Sequence, residues 1–517
     1  MQREDYLSII IIIAGLLAAT LTGFLREATL ANQLGTGRAA DIYLIAYSVP
    51  EFVIIAIMII IPPALIPLFT ELKRRYSESE AWHFEIQVLG AVSGFLLLIC
   101  LLAVVTAPLY LNWLAPGFNE SEYNQAVLAA RYMMPAIVMM GCAVVISAAL
   151  QVYRRFTSTA ITTATYNLIF VVVLFLAPIA WSVGNTALGV VLGAAAALMI
   201  QVPFLWRYRA IFIQHNYLRK GSNGFRNGLG SIHKFSRLVG PLAVGYTIHH
   251  VIWFIDRAMA TTLGVGSVAT LNYAYRLALV VGQFSGLAVS TAIFPRFSQQ
   301  VADNDDAGLI SSLTGSLGLV WIVGLPATCF IILLREPLIQ VLYEHGAFRQ
   351  ASTYAVSQVI VWYSLAVLAD AMCQPLWRII YAWRKVWTVS AVNGFQTVVR
   401  LVCNIVLIRY FDYRGIAISA MVGLTLQVLL LGWLIQRRLG YAFLNKWWQN
   451  AWLVIVASFF ASLGIIVISR QFLSAPALIT LTISGLAGGF IYLLIIGPSN
   501  WRKISSGIIS YRSPNKE

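Results

Sequence analysis

The chain has 517 residues, of which 59% are hydrophobic and 11% are charged. Soluble domains have about 25% charged residues, so this composition excludes a soluble globular protein and indicates a polytopic membrane protein. The formal net charge of +15 does not indicate nucleic-acid binding, because the basic residues are spread over short loops and form no stripe with interleaved aromatic residues.

Apolar runs long enough to cross a bilayer recur along the whole chain. A spanning helix needs about 20 predominantly apolar residues, and the runs predict an all-α polytopic membrane protein with about fourteen transmembrane helices. The predicted spans are 6–31, 40–72, 84–114, 124–152, 157–183, 186–208, 236–263, 268–298, 310–344, 352–382, 387–409, 412–436, 449–470 and 476–497.

Basic residues are concentrated in alternate loops. The runs at Lys73, Arg154 and Arg437 fall on one side together with the basic C-terminal tail. The positive-inside rule therefore predicts that both termini lie in the cytoplasm. The connection 209–235 lies on the same side and mixes apolar and basic residues around Gly-rich breaks, which predicts an amphipathic linker at the membrane surface.

Two sequence patterns recur at the same distance along the chain. LGTGRAADIYLIAY from Leu34 returns as LGVGSVATLNYAY from Leu263, and PLYLNWLAPGF from Pro108 returns as PLIQVLYEHGAF from Pro337, both offset by 229 residues (263 − 34 and 337 − 108). Since this offset spans six helices, the repeats have the same orientation and indicate two parallel lobes facing a central cavity. The predicted domains are an N-terminal lobe 1–208, the cytoplasmic linker 209–235, a C-terminal lobe 236–445, and a helix pair with a basic tail 446–517.

Charged residues within the predicted spans are the candidate functional residues. A charge at membrane depth costs about 2.5 kcal/mol or more, so it normally faces a wet cavity or a partner. Asp370 in the tenth span is a candidate for coupling to Na⁺ or H⁺. The candidates for a substrate-binding cavity are Arg26, Asp41, Glu51, Asp256, Arg257 and Arg276.

Two interpretations of these charges remain open. They form buried ion pairs that hold helices together, for example Arg26 with Asp41, or their arginines bind an anionic substrate, since guanidinium groups bind phosphate oxygens bidentately. We expect Arg276 to bind substrate and Glu51 to be paired with a cavity cation. Nucleotide-binding and hydrolase motifs are absent from the sequence, which predicts a protein that is not an enzyme and that uses no cofactor; the sequence assigns no metal.

Four stretches carry a family resemblance. They are GFLREATLANQLGTGRAADIYLIAY from Gly23, LAPGF from Leu114, IDRAMATTLGVGSVATLNYAYRL from Ile255 and YEHGAF from Tyr343. In this order they resemble the MurJ/MviN family of lipid II flippases, within the multidrug/oligosaccharidyl-lipid/polysaccharide exporter superfamily. By motif position, Arg26, Asp41 and Arg276 match polar residues of that family's cavity, whereas Thr20 and Ile54 stand where the family often has arginines.

The resemblance implies a flippase of the bacterial inner membrane that works by alternating access. Its cargo would be an undecaprenyl-pyrophosphate-linked sugar, with lipid II for peptidoglycan synthesis as the leading candidate, and the last two helices would form a groove for the polyprenyl tail. Membrane lipids and cell-wall synthesis proteins are the implied partners. The alternatives are a flippase for an O-antigen or exopolysaccharide precursor, a cation-coupled multidrug exporter and a structural scaffold. The arginines and the extra helix pair argue against the exporter.

Overall fold

A computed structural model describes residues 3–153, 155–176, 182–206, 222–440, 442–472 and 475–509. The chain divides into two compact units, residues 1–268 and residues 269–517. Both units are built from helices that pack along their lengths, so each is described by itself below.

Within the described residues, the first unit contains nine helices. They are α1 (Arg3–Leu34), α2 (Arg38–Arg75), α3 (Glu78–Leu114), α4 (Glu120–Met133), α5 (Pro135–Val152), α6 (Phe156–Leu176), α7 (Ser182–Met199), α8 (Val202–Trp206) and α9 (Ser222–Thr261) among the described residues.

The second unit continues from α10, which begins two residues before the boundary between the units. Its helices are α10 (Ser267–Gly282), a π-helix (Gln283–Leu287), α11 (Ala288–Ala302), α12 (Asp306–Leu333), α13 (Arg335–Tyr343), α14 (Gln350–Ala382), α15 (Val386–Phe411), α16 (Arg414–Leu439), α17 (Ala442–Gln471) and α18 (Ala477–Ile509).

Polar caps set the starts of the helices that follow short loops. The Ser77 hydroxyl accepts a hydrogen bond from the backbone N–H of Glu80 at 3.1 Å and so begins α3. Asn119 and Glu122 form a capping box at the start of α4. These side chains satisfy backbone donors that the first helical turn leaves unpaired.

The helices confirm the predicted all-α polytopic fold. Thirteen segments within the described residues are long and apolar enough to span a membrane, one of them being α4 and α5 together. The helix α1, with 32 residues, covers the first predicted span. Within the described residues, each of the predicted spans therefore overlaps a helix.

The seventh predicted span packs within the first unit. Its helix α9 begins at Ser222, earlier than the predicted start at 236, so part of the predicted linker is helical; residues 209–221 of that linker lie outside the described residues. Phe235 of α9 contacts Phe84 of α3, with ring centroids 6.5 Å apart, and Tyr246 of α9 contacts Phe52 of α2, at 5.2 Å. These aromatic contacts place α9 on α2 and α3.

The C-terminal helix pair packs on α12 in the second unit. The Tyr492 hydroxyl of α18 donates a hydrogen bond to the Ile322 carbonyl of α12 at 2.7 Å, and Trp447 of α17 meets Trp321 of α12, with ring centroids 5.8 Å apart. Gly485 of α18 allows close approach, because a Cβ there would lie 2.6 Å from the Phe330 ring. The pair is thus attached to the helix that corresponds to the ninth predicted span.

A π-helical turn interrupts the eighth predicted span. Residues Gln283–Leu287 form this turn, which contains Gly286. A Cβ at Gly286 would lie 2.6 Å from the Cα of Ala371 in α14. Such turns occur often at functional sites, and here the turn lies beside the residue that follows Asp370.

Candidate substrate-binding site

The elbow between α1 and α2, residues 35–37, is fastened to the segment between α9 and α10. The Asp41 carboxylate accepts a hydrogen bond from the backbone N–H of Gly266 at 2.6 Å and lies 4.0 Å from the Arg38 guanidinium. The backbone N–H of Gly117 likewise donates to the Thr261 hydroxyl at 3.2 Å. Asp41, predicted as a cavity residue, therefore holds chain segments together in this conformation.

Replacement of Gly266 should disturb this fastening. Its φ is +84°, and a Cβ would lie 2.1 Å from the Thr36 carbonyl oxygen. We expect Gly266→Ala to lower stability by more than the roughly 1–2 kcal/mol that a left-handed backbone costs an L-residue, as measured by thermal unfolding in detergent. Gly264→Ala is the matched control, because Gly264 also has a positive φ but no atom within 4 Å of its Cβ position. Equal losses for the two variants would contradict the close approach.

Arg26 of α1 lies among aromatic side chains. Its Nη2 donates a hydrogen bond to the Tyr43 hydroxyl at 2.7 Å, and its guanidinium lies 4.4–5.1 Å from the ring centroids of Tyr47, Tyr166 and Phe170. We call these four aromatic residues the Arg26 cage. Among the described residues Arg26 forms no ion pair within 4 Å, so the predicted alternative of an Arg26–Asp41 pair is not the observed arrangement.

The tyrosines of the cage are held by one another. The Tyr47 and Tyr166 hydroxyls are hydrogen bonded at 2.7 Å, and the rings of Tyr43 and Tyr47 are stacked with centroids 5.6 Å apart. Two helices, α2 and α6, therefore form a fixed aromatic wall around the guanidinium that α1 supplies. Aromatic faces stabilise a cation without cancelling its charge, so Arg26 keeps the ability to attract an anion.

Arg257 of α9, unlike Arg26, is paired with a carboxylate and has several hydrogen-bond acceptors. Its Nη2 donates to the Glu51 carboxylate at 3.1 Å, and its Nη1 donates to the Leu44 carbonyl at 2.8 Å and to the Ser48 hydroxyl at 2.7 Å. The Trp253 ring lies 3.6 Å from the guanidinium carbon. Glu51 is therefore paired with a cation, as the sequence analysis expects, and this pair joins α2 to α9.

The remaining predicted charges are distributed between the two units. Asp256, which precedes Arg257 in the sequence, is buried, with 6% of its surface exposed. With Arg26, Asp41, Glu51 and Arg257 it lies in the first unit, which therefore holds five of the seven predicted site residues. Arg276 lies half-buried in α10, next to Tyr275, whose ring contacts that of Tyr363 at 5.4 Å. Asp370 in α14 accepts a hydrogen bond from Gln374 at 3.4 Å.

Sequence reasoning missed the residues of the Arg26 cage. Tyr43 and Tyr47 are four residues apart in α2, and Tyr166 and Phe170 are four residues apart in α6. That spacing places each pair on one face of its helix. Aromatic pairs on neighbouring helix faces, near an arginine within a predicted span, would have been the available signal.

The chemistry of the site follows from the difference between its two arginines. Arg257 is compensated by Glu51 and satisfied by backbone and hydroxyl acceptors, which makes it structural in this conformation. Arg26 is a positive charge at membrane depth whose described partners are one hydroxyl and aromatic rings. A guanidinium of this kind is suited to binding a phosphate or pyrophosphate group.

Comparisons with known proteins show which family the chain resembles. The family model described as "Lipid II flippase MurJ" matches residues 30–484. Probable lipid II flippases MurJ of Buchnera aphidicola subsp. Acyrthosiphon pisum and of Haemophilus influenzae are 25% identical over 410 residues and 23% identical over 436 residues. These matches cover 78% of this chain and 78% of the first protein, and 80% of this chain and 83% of the second.

Two solved structures share the fold. A lipid II flippase MurJ in an inward closed conformation matches with a TM-score of 0.74 at 18% identity, over 96% of this chain and 99% of its own. An inward-facing multidrug resistance transporter of the MATE family matches with a TM-score of 0.70 at 11% identity, over 84% of this chain and 99% of its own.

Helices that span a membrane many times, with an arginine held in an aromatic cage among them, define a polytopic membrane transporter. The fold is the one shared by the MurJ and MATE structures. Since the family model matches most of its length, the chain belongs to the lipid II flippase MurJ family. It is a multi-pass protein of the bacterial inner membrane.

Proposed function

We propose that this protein translocates lipid II, an undecaprenyl-pyrophosphate-linked sugar precursor of peptidoglycan, across the inner membrane. The observation that carries the proposal is Arg26: a guanidinium at membrane depth, in a chain of this family, that has aromatic neighbours and no ion pair among the described residues. The pyrophosphate of such a carrier lipid supplies the anion that this arginine lacks.

The headgroup would cross by alternating access. Arg26 binds the pyrophosphate, and the sugar occupies the hydrated interior while the protein changes from an inward-open to an outward-open state. Binding of the substrate by Arg276 of the second unit stays a prediction from the sequence. The Asp41–Gly266 and Gly117–Thr261 contacts would break in the outward-open state, because they fasten segments that belong to different sequence repeats. Both termini are placed in the cytoplasm by the loop charges.

The polyprenyl tail would remain in lipid beside the C-terminal helix pair. A cavity of about 290 Å³ opens between α12, α17 and α18, and apolar residues such as Pro326, Phe330 and Ile465 line it. Gly489 of α18 also lines this cavity, and a Cβ there would meet no atom within 4 Å. The cavity is apolar and open, which suits an isoprenoid chain.

Filling this cavity should impair transport without unfolding the protein. We expect Gly489→Leu to lower the rate of lipid II translocation, because the added side chain occupies space that the tail would use, with unchanged membrane abundance. Gly432→Leu is the control, since Gly432 also has no atom within 4 Å of its Cβ position and does not line the cavity. Equal translocation by the two variants in proteoliposomes would remove this cavity from the mechanism.

The transport cycle would be driven by coupling to Na⁺ or H⁺. We assign Asp370, at the level of the π-helical turn, to coupling with Na⁺ or H⁺. It is an acid within a span, and Gln374 is its one side-chain hydrogen-bond donor in the part of the chain that the structure describes. Cell-wall synthesis enzymes that supply and consume lipid II are the proposed partners.

The direct test uses purified protein in liposomes that contain fluorescent lipid II. Translocation should appear on reconstitution, and the chain should rescue a bacterium depleted of its own lipid II flippase. Failure with lipid II together with transport of a polyprenyl-pyrophosphate-linked O-antigen or exopolysaccharide unit would reassign the cargo. Failure with each of these carriers would overturn the proposal.

A further inference from the structure

Glu85 of α3 is a buried acid that the proposed transport mechanism does not use. Its side chain is 3% exposed. Neither carboxylate oxygen accepts a hydrogen bond in the part of the chain that the structure describes. A buried polar group normally has a partner, so Glu85 requires an explanation.

The position of Glu85 on its helix shows what surrounds it. The buried face of α3 includes Ala81, Glu85, Val88, Val92 and Leu96, which follow one another at helical spacing. Leu96 lies at one end of this face. A Cβ on Gly141 of α5 would lie only 2.1 Å from the Leu96 side chain and 3.6 Å from the side chain of Ile57 in α2.

At the other end of this face, Trp82 packs against the C-terminal ends of α2 and α5. Its ring centroid lies 5.6 Å from that of Phe69 in α2 and 5.9 Å from that of Tyr153, which follows α5. Glu85 lies on α3 between Trp82 and Leu96, which both contact α2 and α5, and therefore faces the same two helices. The facing stretches, residues 57–69 of α2 and 141–153 of α5, contain no Asp, Glu, Lys, Arg or His.

Other charged groups of the surrounding helices are engaged or exposed. At the end of α2, Lys73 lies 3.7 Å from Glu78 and Arg75 lies 3.2 Å from Glu71. On α9, His233, Lys234 and Arg237 are exposed.

Two further titratable groups on the surrounding helices also have hydrogen-bond partners. His250 of α9 lies 2.9 Å from the Tyr246 carbonyl. Arg131 of α4 donates to the Val104 carbonyl near the far end of α3.

An ionised carboxylate in such surroundings would be strongly destabilised, since burial of a charge without a partner is costly and the group is instead neutralised. We propose that Glu85 is a proton-binding site of the first unit, which holds a proton when α3 is packed on α2 and α5 as it is here. Opening of this face to water releases the proton, and closing takes it up again. No other bond changes in the step.

The consequence for transport rests on the proposed function. Glu85 lies toward the end of α3 that begins after the basic run at Lys73, which is the cytoplasmic end in the proposed orientation. If proton release accompanies a conformational step, the equilibrium of that step changes about tenfold per pH unit while one proton is exchanged. Lipid II translocation should then depend on cytoplasmic-side pH through Glu85.

The first experiment observes the proton itself and needs no transport. Infrared difference spectra of the purified protein in nanodiscs, between H₂O and D₂O, should contain the C=O stretch of a protonated carboxylic acid at neutral pH. Glu85→Gln should remove that band and leave the protein as stable as the wild type, because glutamine has the shape of the protonated acid. Glu78→Gln is the control on the same helix, since Glu78 is exposed and accepts a hydrogen bond from Tyr153.

The outcomes are decisive in each direction. Absence of the acid band from the wild-type spectrum, or a band of unchanged amplitude in Glu85→Gln, would overturn the proposal. If Glu85→Gln does not accumulate in the membrane, Glu85→Met replaces it; failure of both would show that the ionised carboxylate is needed for folding and would likewise overturn it.

The second experiment tests the link to transport. Wild-type translocation should change by about tenfold per pH unit over the range in which the acid band titrates, and Glu85→Gln should translocate at a rate independent of pH over that range. Equal pH dependence in both proteins would overturn the coupling. Should the wild type fail to move lipid II at any pH while the band still titrates, the proton site stands and the proposed function fails.

Discussion

Arg26→Ala is expected to reduce lipid II translocation by about ten- to a hundredfold while leaving the protein folded in the membrane. A hydrogen bond to a charged group contributes about 1.5–3 kcal/mol, and each 1.4 kcal/mol is about tenfold in binding. Folding should be affected little, because the described contacts of Arg26 are one tyrosine hydroxyl and three aromatic rings.

Two further variants separate the guanidinium from its surroundings. Arg26→Lys keeps the charge but loses the planar fork, so we expect a translocation rate between those of alanine and the wild type. Tyr43→Phe removes the hydrogen bond to Nη2 and keeps the ring, and should lower the rate only modestly. Arg131→Ala is the control, since Arg131 is exposed and donates to a backbone carbonyl.

Membrane abundance and lipid II translocation must both be measured for each variant. Normal translocation by Arg26→Ala at normal abundance would exclude this arginine from substrate binding. Loss of abundance in step with loss of translocation would instead make the Arg26 cage a structural element of the first unit.

The fold could be predicted from the sequence because a membrane restricts the secondary structures that a spanning segment can adopt. An apolar run of about 20 residues in a bilayer must satisfy its own backbone groups, and a helix does so within the run. Charged residues stand out against such runs, which is why Glu51 could be recognised as an acid in need of a cation. The predicted pairing agrees with the structure, where the cation is Arg257.

The identity of that cation could not be predicted, because Arg257 lies 206 residues away from Glu51 along the chain. The repeat pattern assigns the seventh span to the second lobe, whereas the aromatic contacts of Phe235 and Tyr246 place α9 on α2 and α3. Trp and Tyr are enriched at both membrane interfaces, so the aromatic pairs of the Arg26 cage are only a weak signal in the sequence. Glu85, the second residue of a predicted span, is ordinary in sequence and is identified only by its burial.

Removal of Arg257 should have the opposite effect from removal of Arg26, namely a loss of stability. The Glu51 side chain is 5% exposed and the Arg257 side chain 7%, so Arg257→Ala withdraws the facing guanidinium from a buried carboxylate. Removing one partner of a buried pair typically costs about 3–5 kcal/mol. It also removes the donor to the Leu44 carbonyl and the Ser48 hydroxyl. We expect a large fall in the Tm measured in detergent and low abundance in the membrane.

The double variant Arg257→Met with Glu51→Gln tests the cause of that loss. With both charges removed, neither member of the pair leaves the other uncompensated, and stability should return most of the way to the wild-type value. The interaction term of the double-mutant cycle should therefore be large. Arg75→Ala is the control for a pair on the same helix, because Arg75 is 70% exposed and faces Glu71 at 3.2 Å, and such surface pairs contribute about 0–1 kcal/mol.

Translocation by the double variant then distinguishes a structural role from a functional one. If the pair only joins α2 to α9, the refolded double variant should translocate lipid II at a rate close to that of the wild type. A stable double variant that fails to translocate would show that Arg257 or Glu51 is needed in another state of the cycle, where the pair has separated and the guanidinium binds the pyrophosphate. Additive effects of the two single substitutions would contradict the pairing itself.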